Sequence, residues 1–178
     1  MTATQLTQVW TSTQVHQAAL PEAEAVNAEI LAGFAGLTPE DYRYRSHFIA
    51  GRFENLYLDR TRLSGIERVL VHAERCARAI LGHPGPLRCG FWLNVMEAGH
   101  TTSEHTHEEN DELLSGVYYV AAPPVSGDLV LRDGPLLVRL TPSPGTFLFF
   151  PPDLPHWVES NRSPGLRLSI GMNFGPLE

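Results

Sequence analysis

Three histidines, an arginine and a serine follow one another along this chain in an order that could build a metal site with an anion anchor beside it. His105-Thr106-His107 comes first, His156 stands in Pro155-His156-Trp157, and Arg167-Leu168-Ser169 begins eleven residues past that histidine. Side chains at i and i+2 of a strand point to the same side, so His105 and His107 could face one cation and His156 could complete a three-point cap with open positions left for chemistry. Imidazole nitrogens bind Fe, Zn, Cu, Ni and Mn alike, so ligand type by itself leaves the metal open. A solvated acidic loop would account for residues 104–112 taken alone. It does not account for the lone histidine that recurs at the start of a distant strand.

The middle position of the cap has two claimants. Glu109 lies two residues past His107, so His107-x-Glu109 with His156 gives two imidazoles and one carboxylate, whereas His105-x-His107 with His156 gives three imidazoles. Beyond His156, Arg167 and Ser169 alternate with apolar Leu166, Leu168 and Ile170. That pattern puts a guanidinium and a hydroxyl together on the face opposite a packed one, where they could hold a single carboxylate. Carboxylate capture beside a metal points to a chelating 2-oxoacid.

The remaining titratable groups are less telling. His16, His72 and His83 sit in helical or turn contexts and are expected to be exposed or capping residues. His47, near Arg45 and Arg52, and His100, after Gly99, could line a pocket or lie on the surface. Cys76 and Cys89 are the only cysteines and fall in a helical and a strand-like stretch, so no disulfide is expected and a reducing compartment is favoured.

Such a site needs a scaffold of strands. Residues 14–37 carry apolar groups at helical spacing, with Pro21 suited to a first turn and Gly36 to a stop. Residues 41–59 read as loops with a short strand. A second helix is marked by Ser64-x-x-Glu67 as a capping box, by a stripe of Ile66, Val69, Leu70, Ala73, Cys76, Ala77 and Ile80, and by Gly82 and Pro84 at its end. From Leu87 onward the period becomes two, and the spacing predicts strands at 87–96, 114–121, 128–132, 135–140, 146–150, 155–159 and 166–174. Helices first and strands afterwards exclude a doubly wound parallel sheet and predict a mainly β sandwich or barrel, with the helices on its outside.

The whole chain sets bounds on function. Its 178 residues suit a single domain spanning 1–178, with a helical part at about 14–82 and a β core at about 87–175. A formal net charge of −7 without a basic cluster argues against nucleic acid. Residues 1–13 lack the pattern of a signal peptide, and no apolar run is long enough to span a membrane, so a soluble cytoplasmic protein is expected.

A family resemblance now has its residues. Phe91-Trp92-Leu93-Asn94-Val95, His105-Thr106-His107, residues 114–120 (Leu-Ser-Gly-Val-Tyr-Tyr-Val), residues 144–151 (Pro-Gly-Thr-Phe-Leu-Phe-Phe-Pro), His156-Trp157-Val158 and Arg167-Leu168-Ser169-Ile170 resemble the 2-oxoglutarate/Fe(II)-dependent oxygenases of bacteria and phage. The likeness is strong over 87–175 and looser over the N-terminal helices and residues 51–55. It implies a double-stranded β-helix (jelly-roll, cupin-like) fold, a mononuclear Fe(II) and 2-oxoglutarate as co-substrate, with O2 oxidising a small molecule or a side chain and succinate and CO2 as co-products. It also implies that His105 and His156 are ligands, that Arg167 partners the distal 2-oxoglutarate carboxylate and that Ser169 assists.

The family's usual first motif is His-x-Asp or His-x-Glu. Counting forward from Trp92 puts His105-x-His107 there, while counting back from Ser115-Gly116 favours His107-x-Glu109. Asn94 and Tyr118, together with Tyr119, Arg52 and Trp157, are the further candidates for the pocket and its co-substrate. The rival reading is a cupin-like three-histidine metalloprotein, a dioxygenase, isomerase or small-ligand module that makes no use of 2-oxoglutarate. A jelly-roll edge also invites pairing into a homodimer.

Overall fold

The structure is a computed structural model that describes residues 6–10 (backbone only), 15–107 and 111–177. Two antiparallel sheets carry it. The larger has eight strands in the order β1-β2-β9-β6-β11-β5-β4-β3, and the smaller has three in the order β10-β7-β8. In chain order the elements are β1 (Leu6–Trp10), β2 (Val15–Ala19), α1 (Ala23–Phe34), β3 (Tyr44–Ile49), β4 (Arg52–Tyr57), α2 (Ile66–Leu81), β5 (Leu87–Met96) and β6 (Leu114–Ala121). These are followed by β7 (Leu129–Asp133), β8 (Leu136–Leu140), β9 (Thr146–Phe150), β10 (His156–Val158) and β11 (Arg167–Pro176).

β11 lies at the centre. It pairs with β5 along its full length, Arg167 opposite Met96 through Pro176 opposite Leu87, and with β6 on its other side. Strand alternation then sorts its side chains. Leu168, Ile170, Met172 and Phe174 enter the core beneath the helices, and Arg167, Ser169 and Gly171 face the space between the sheets. β6 and β9 obey the same rule: Tyr118, Val120, Phe147 and Phe149 face the helices, whereas Tyr119, Leu148 and Phe150 join Leu129, Leu131 and Val138 of the small sheet in a second core. Each fully buried aromatic or branched side chain contributes about 1.5–3 kcal/mol, so the two cores hold the central strands in register. The fold is a double-stranded β-helix with both helices packed on one face of the larger sheet.

α2 carries the expected stripe, with Ile66, Val69, Leu70, Ala73, Cys76 and Ala77 buried, and it ends at a left-handed Gly82. Its start differs from the expected capping box. Gly65 caps it with no side-chain bond, the Ser64 hydroxyl donates to Glu29 of α1, and Glu67 pairs with Arg60. Tertiary partners have taken both members of the local motif.

The N-terminal third departs further from expectation. Residues 15–19, read from the sequence as part of a first helix, form a strand on β9, with Val15 and Ala18 buried, and the helix begins only at Ala23. An open sheet edge outweighs a weak helical preference over five residues. The stretch 41–59, expected to be mostly loop, is a hairpin of two full strands joined through Ala50-Gly51, both at positive φ. His72, expected at the surface, is buried, and its ring stacks on Phe147 with centroids 5.4 Å apart. Both cysteines are free. No helix is long and apolar enough to cross a membrane among the described residues.

Candidate metal centre and its anion anchor

His105 precedes β6 in a segment with no ladder of its own, yet it makes an isolated bridge with His156, the first residue of β10. Each of the two backbones donates its N–H to the other's carbonyl at 3.0 Å. The His107 N–H donates to the Pro152 carbonyl at 2.8 Å, which brings that residue to the same corner. The ligand atoms of His105, His107 and His156 all lie within 4.8 Å of one another, close enough for one cation.

The ring orientations suit metal binding. His105 Nδ1 lies 2.8 Å from the Ser103 carbonyl, and His156 Nδ1 lies 2.8 Å from the Leu154 carbonyl. A carbonyl can only accept, so both Nδ1 atoms carry the proton and both Nε2 lone pairs are left for a metal. Burial, together with the neighbouring imidazoles, lowers the pKa of His107 to about 3 and that of His156 to about 4. Neutral imidazole is the form that ligates.

The three rings open onto a cavity of about 60 Å³ lined, among others, by Glu54, Asn94, Tyr119, Arg167, Ser169 and Gly171. Arg167 is 1% exposed and takes part in none of the ion pairs among the described residues. One terminal nitrogen contacts Met96 Sδ at 3.0 Å, the guanidinium lies over the Tyr119 ring, and Nε has no partner. Burial lowers its pKa, but arginine stays charged in proteins. Burying an unpaired cation costs several kcal/mol, so this guanidinium fits an anionic ligand that completes it. The Asn94 Oδ1 is also buried without a partner, and the Tyr119 hydroxyl is buried beside the Arg167 guanidinium. Polar atoms left open around one cavity, with three ring nitrogens at its mouth, fit a metal and a chelating carboxylate.

The sequence-derived candidates divide as follows. His105, His107, His156, Arg167, Ser169, Asn94 and Tyr119 come together around this cavity. Tyr118 does not: it faces α1, and its hydroxyl donates to Asn27 at 2.6 Å. The period of two turns neighbouring residues of β6 to opposite faces, so Tyr119 stands in the cavity and Tyr118 in the helix-side core. Arg52 is held by the Val95 and Thr101 carbonyls, and Trp157 lies under the Arg132 guanidinium. Neither lines the cavity. Glu109 falls outside the described residues.

An outer cleft of about 740 Å³ shares Asn55, Trp92, His105 and His107 with the cavity and adds His47, Tyr57, Phe91, Arg88, Glu112 and Asn173. The Trp92 ring reaches His107, with centroids 5.4 Å apart, because it crosses β11 at a glycine: a Cβ on Gly171 would lie 2.4 Å from the indole. Sequence reasoning missed Glu54 and Ser103. A carboxylate in an aromatic strand carries no signal of its own until the strand's partner is known.

Residues 90–138 match the family model described as "Putative 2OG-Fe(II) oxygenase". The whole fold is similar to a prolyl-4-hydroxylase from Pseudomonas putida at 17% identity, covering 94% of this chain and 90% of that one with a TM-score of 0.67. It is similar to a 2OG-Fe(II) oxygenase family oxidoreductase from Burkholderia pseudomallei at 16% identity, covering 90% and 85% with a TM-score of 0.68. The non-heme alpha ketoglutarate dependent epimerase SnoN from nogalamycin biosynthesis aligns at 16% identity over 90% of this chain and 77% of that one, TM-score 0.69. Among curated proteins no relative matches the chain. The likeness in sequence thus covers residues 90–138, and the likeness to the solved structures is one of fold.

Proposed function

We propose that the chain is a dioxygenase in which His105, His107 and His156 hold Fe(II) and Arg167 with Ser169 holds the distal carboxylate of 2-oxoglutarate. One observation carries the reading: a buried guanidinium that joins no ion pair among the described residues shares a cavity with three imidazoles whose ligand atoms lie within 4.8 Å of one another. A cupin-like three-histidine protein that makes no use of a 2-oxoacid leaves that buried charge without a purpose. Fe(II) with 2-oxoglutarate supplies an O2-dependent oxidation of a C–H bond, with succinate and CO2 as co-products.

The protein's own part is positioning. Carbonyls of Ser103 and Leu154 fix the His105 and His156 tautomers, so the ligand set needs little reorganisation. Arg167 offers a charged donor whose desolvation cost is already met by the folded cores around it, and Ser169, one pleat along the same strand, offers a hydroxyl. Tyr119 and Asn94 present polar atoms to the bound acid, and Phe150 and Val158 keep water from its flank. The outer cleft, with Trp92 and Tyr57 on its wall, receives the primary substrate, a small molecule or a side chain, next to the histidine corner.

The test is turnover of 2-oxoglutarate to succinate by the full chain with Fe(II), ascorbate and O2, with no primary substrate added. Slow, metal-dependent succinate formation that Arg167→Ala reduces at least tenfold is expected. Undiminished turnover in that variant would remove Arg167 from the reaction.

A further inference from the structure

Three imidazoles carry no charge, and Arg167 adds a positive charge to the same cavity, so before any 2-oxoacid binds a divalent cation there meets no compensating anion from these three side chains. A buried cation without nearby negative charge is costly. Among the described residues, Glu54 is the only buried Asp or Glu, at 3% exposure, and it lines this cavity.

Glu54 also grips the residue that orients a histidine. Its two carboxylate oxygens accept from the Ser103 backbone N–H and from the Ser103 hydroxyl, both at 3.2 Å, and the Ser103 carbonyl accepts from His105 Nδ1 at 2.8 Å. Arg52 closes the outer side at 3.9 Å while tied to the Val95 and Thr101 carbonyls. The Glu54 backbone carbonyl accepts from Asn94 Nδ2 at 3.0 Å, which fastens β4 to β5 at the cavity wall. Among the described residues no comparable outside carboxylate serves His156, whose acceptor carbonyl belongs to Leu154 in a tight turn with Pro151.

We propose that Glu54 is a positioning residue of the metal site, one that acts through Ser103 to fix the His105 ring and supplies from β4 the negative charge that the three-imidazole ligand set lacks. The proposal rests on the reading of His105, His107 and His156 as metal ligands. Removing an outer partner of a metal-bound histidine costs roughly 10–100-fold in metal affinity.

Anaerobic titration of the apo chain with Co(II), followed by the visible ligand-field bands and by calorimetry, separates charge from geometry. Glu54→Gln keeps the shape: its amide oxygen can accept from the Ser103 N–H and its amide N–H can donate to the Ser103 oxygen, so mainly the charge is lost. Ser103→Ala keeps the charge and the backbone bond and loses one hydrogen bond. Glu54→Gln is expected to weaken Co(II) binding at least tenfold and to shift the bands, and Ser103→Ala to weaken it a few-fold.

A role confined to packing predicts the opposite pattern, a lower melting temperature for each apo variant with Co(II) affinity and bands unchanged, and that result would overturn the proposal. If Glu54→Gln does not fold, Ser103→Ala still decides, since unchanged affinity and bands there would break the link from Glu54 to His105. Failure of the unmodified chain to bind Co(II) would instead overturn the three-histidine reading beneath it.

Discussion

The floor and the rim of the cavity are built in opposite ways. Arg167, Ser169 and Gly171 on the floor belong to one strand that is paired along both edges, so their common direction is set by strand period and by two packed cores. The histidines of the rim come from a connecting segment and from the first residue of a three-residue strand, and cross-chain bonds join them: two reciprocal backbone bonds between His105 and His156, and one from His107 to Pro152. A floor of this kind persists whether or not ligand is bound. A rim of this kind depends on each of its few bonds, and metal binding should add most of its rigidity.

Breaking the rim has the largest expected effect. His105→Ala and His156→Ala should each abolish stoichiometric iron in the anaerobically reconstituted chain, as measured by elemental analysis. Full iron in either variant would remove that residue from the centre. The floor responds differently: Arg167→Ala should leave iron stoichiometry intact and weaken 2-oxoglutarate by roughly 30-fold or more, the cost of losing one partner of a buried charge pair. Arg167→Met should leave the apo melting temperature unchanged or raise it, because an unpaired buried charge is replaced by an apolar group of similar length.

Gly171→Ala lies where floor and rim touch. The new methyl would drive the Trp92 indole off β11 toward His107 and cost about 1–3 kcal/mol in stability, visible as a lower urea midpoint.

The smallest effect is on pH dependence. His107 and His156 have folded-state pKa values of about 3 and about 4, below the ordinary 6.5. Their neutral forms therefore contribute stability that is present above pH 6.5 and lost as pH falls from there toward 4, where the unfolded chain takes up protons first. The urea midpoint of the apo chain should drop across that window. A saturating divalent metal should steepen the drop, since protons then compete with the cation.

The floor was the more legible part in the sequence, and the comparison explains why. Alternation of Arg167 and Ser169 with Leu168 and Ile170 states which face each takes, and long runs such as Leu87–Met96, Leu114–Ala121 and Thr146–Phe150 carry enough period-two signal to mark their own ends. The same rule separates Tyr118 from Tyr119, and treating both as pocket residues overlooked it. At the rim, spacing suggested the histidines but not which atoms would hold their rings, because the Ser103 and Leu154 carbonyls become partners only after the chain has crossed itself. The N-terminal strands were hidden for a related reason. Val15–Ala19 and Tyr44–Ile49 are short, mixed in polarity and defined by the edges they join rather than by a pattern of their own.

The central claim is that one cavity holds Fe(II) on its rim and a 2-oxoacid on its floor at the same time. Anaerobic addition of 2-oxoglutarate to the Fe(II)-loaded chain tests it most directly, because only a 2-oxoacid chelated to iron produces a visible metal-to-ligand charge-transfer band. The account predicts that the band appears with the unmodified chain and requires a much higher 2-oxoglutarate concentration in Arg167→Ala. A chain that binds iron stoichiometrically yet gives no band at saturating 2-oxoglutarate would contradict it.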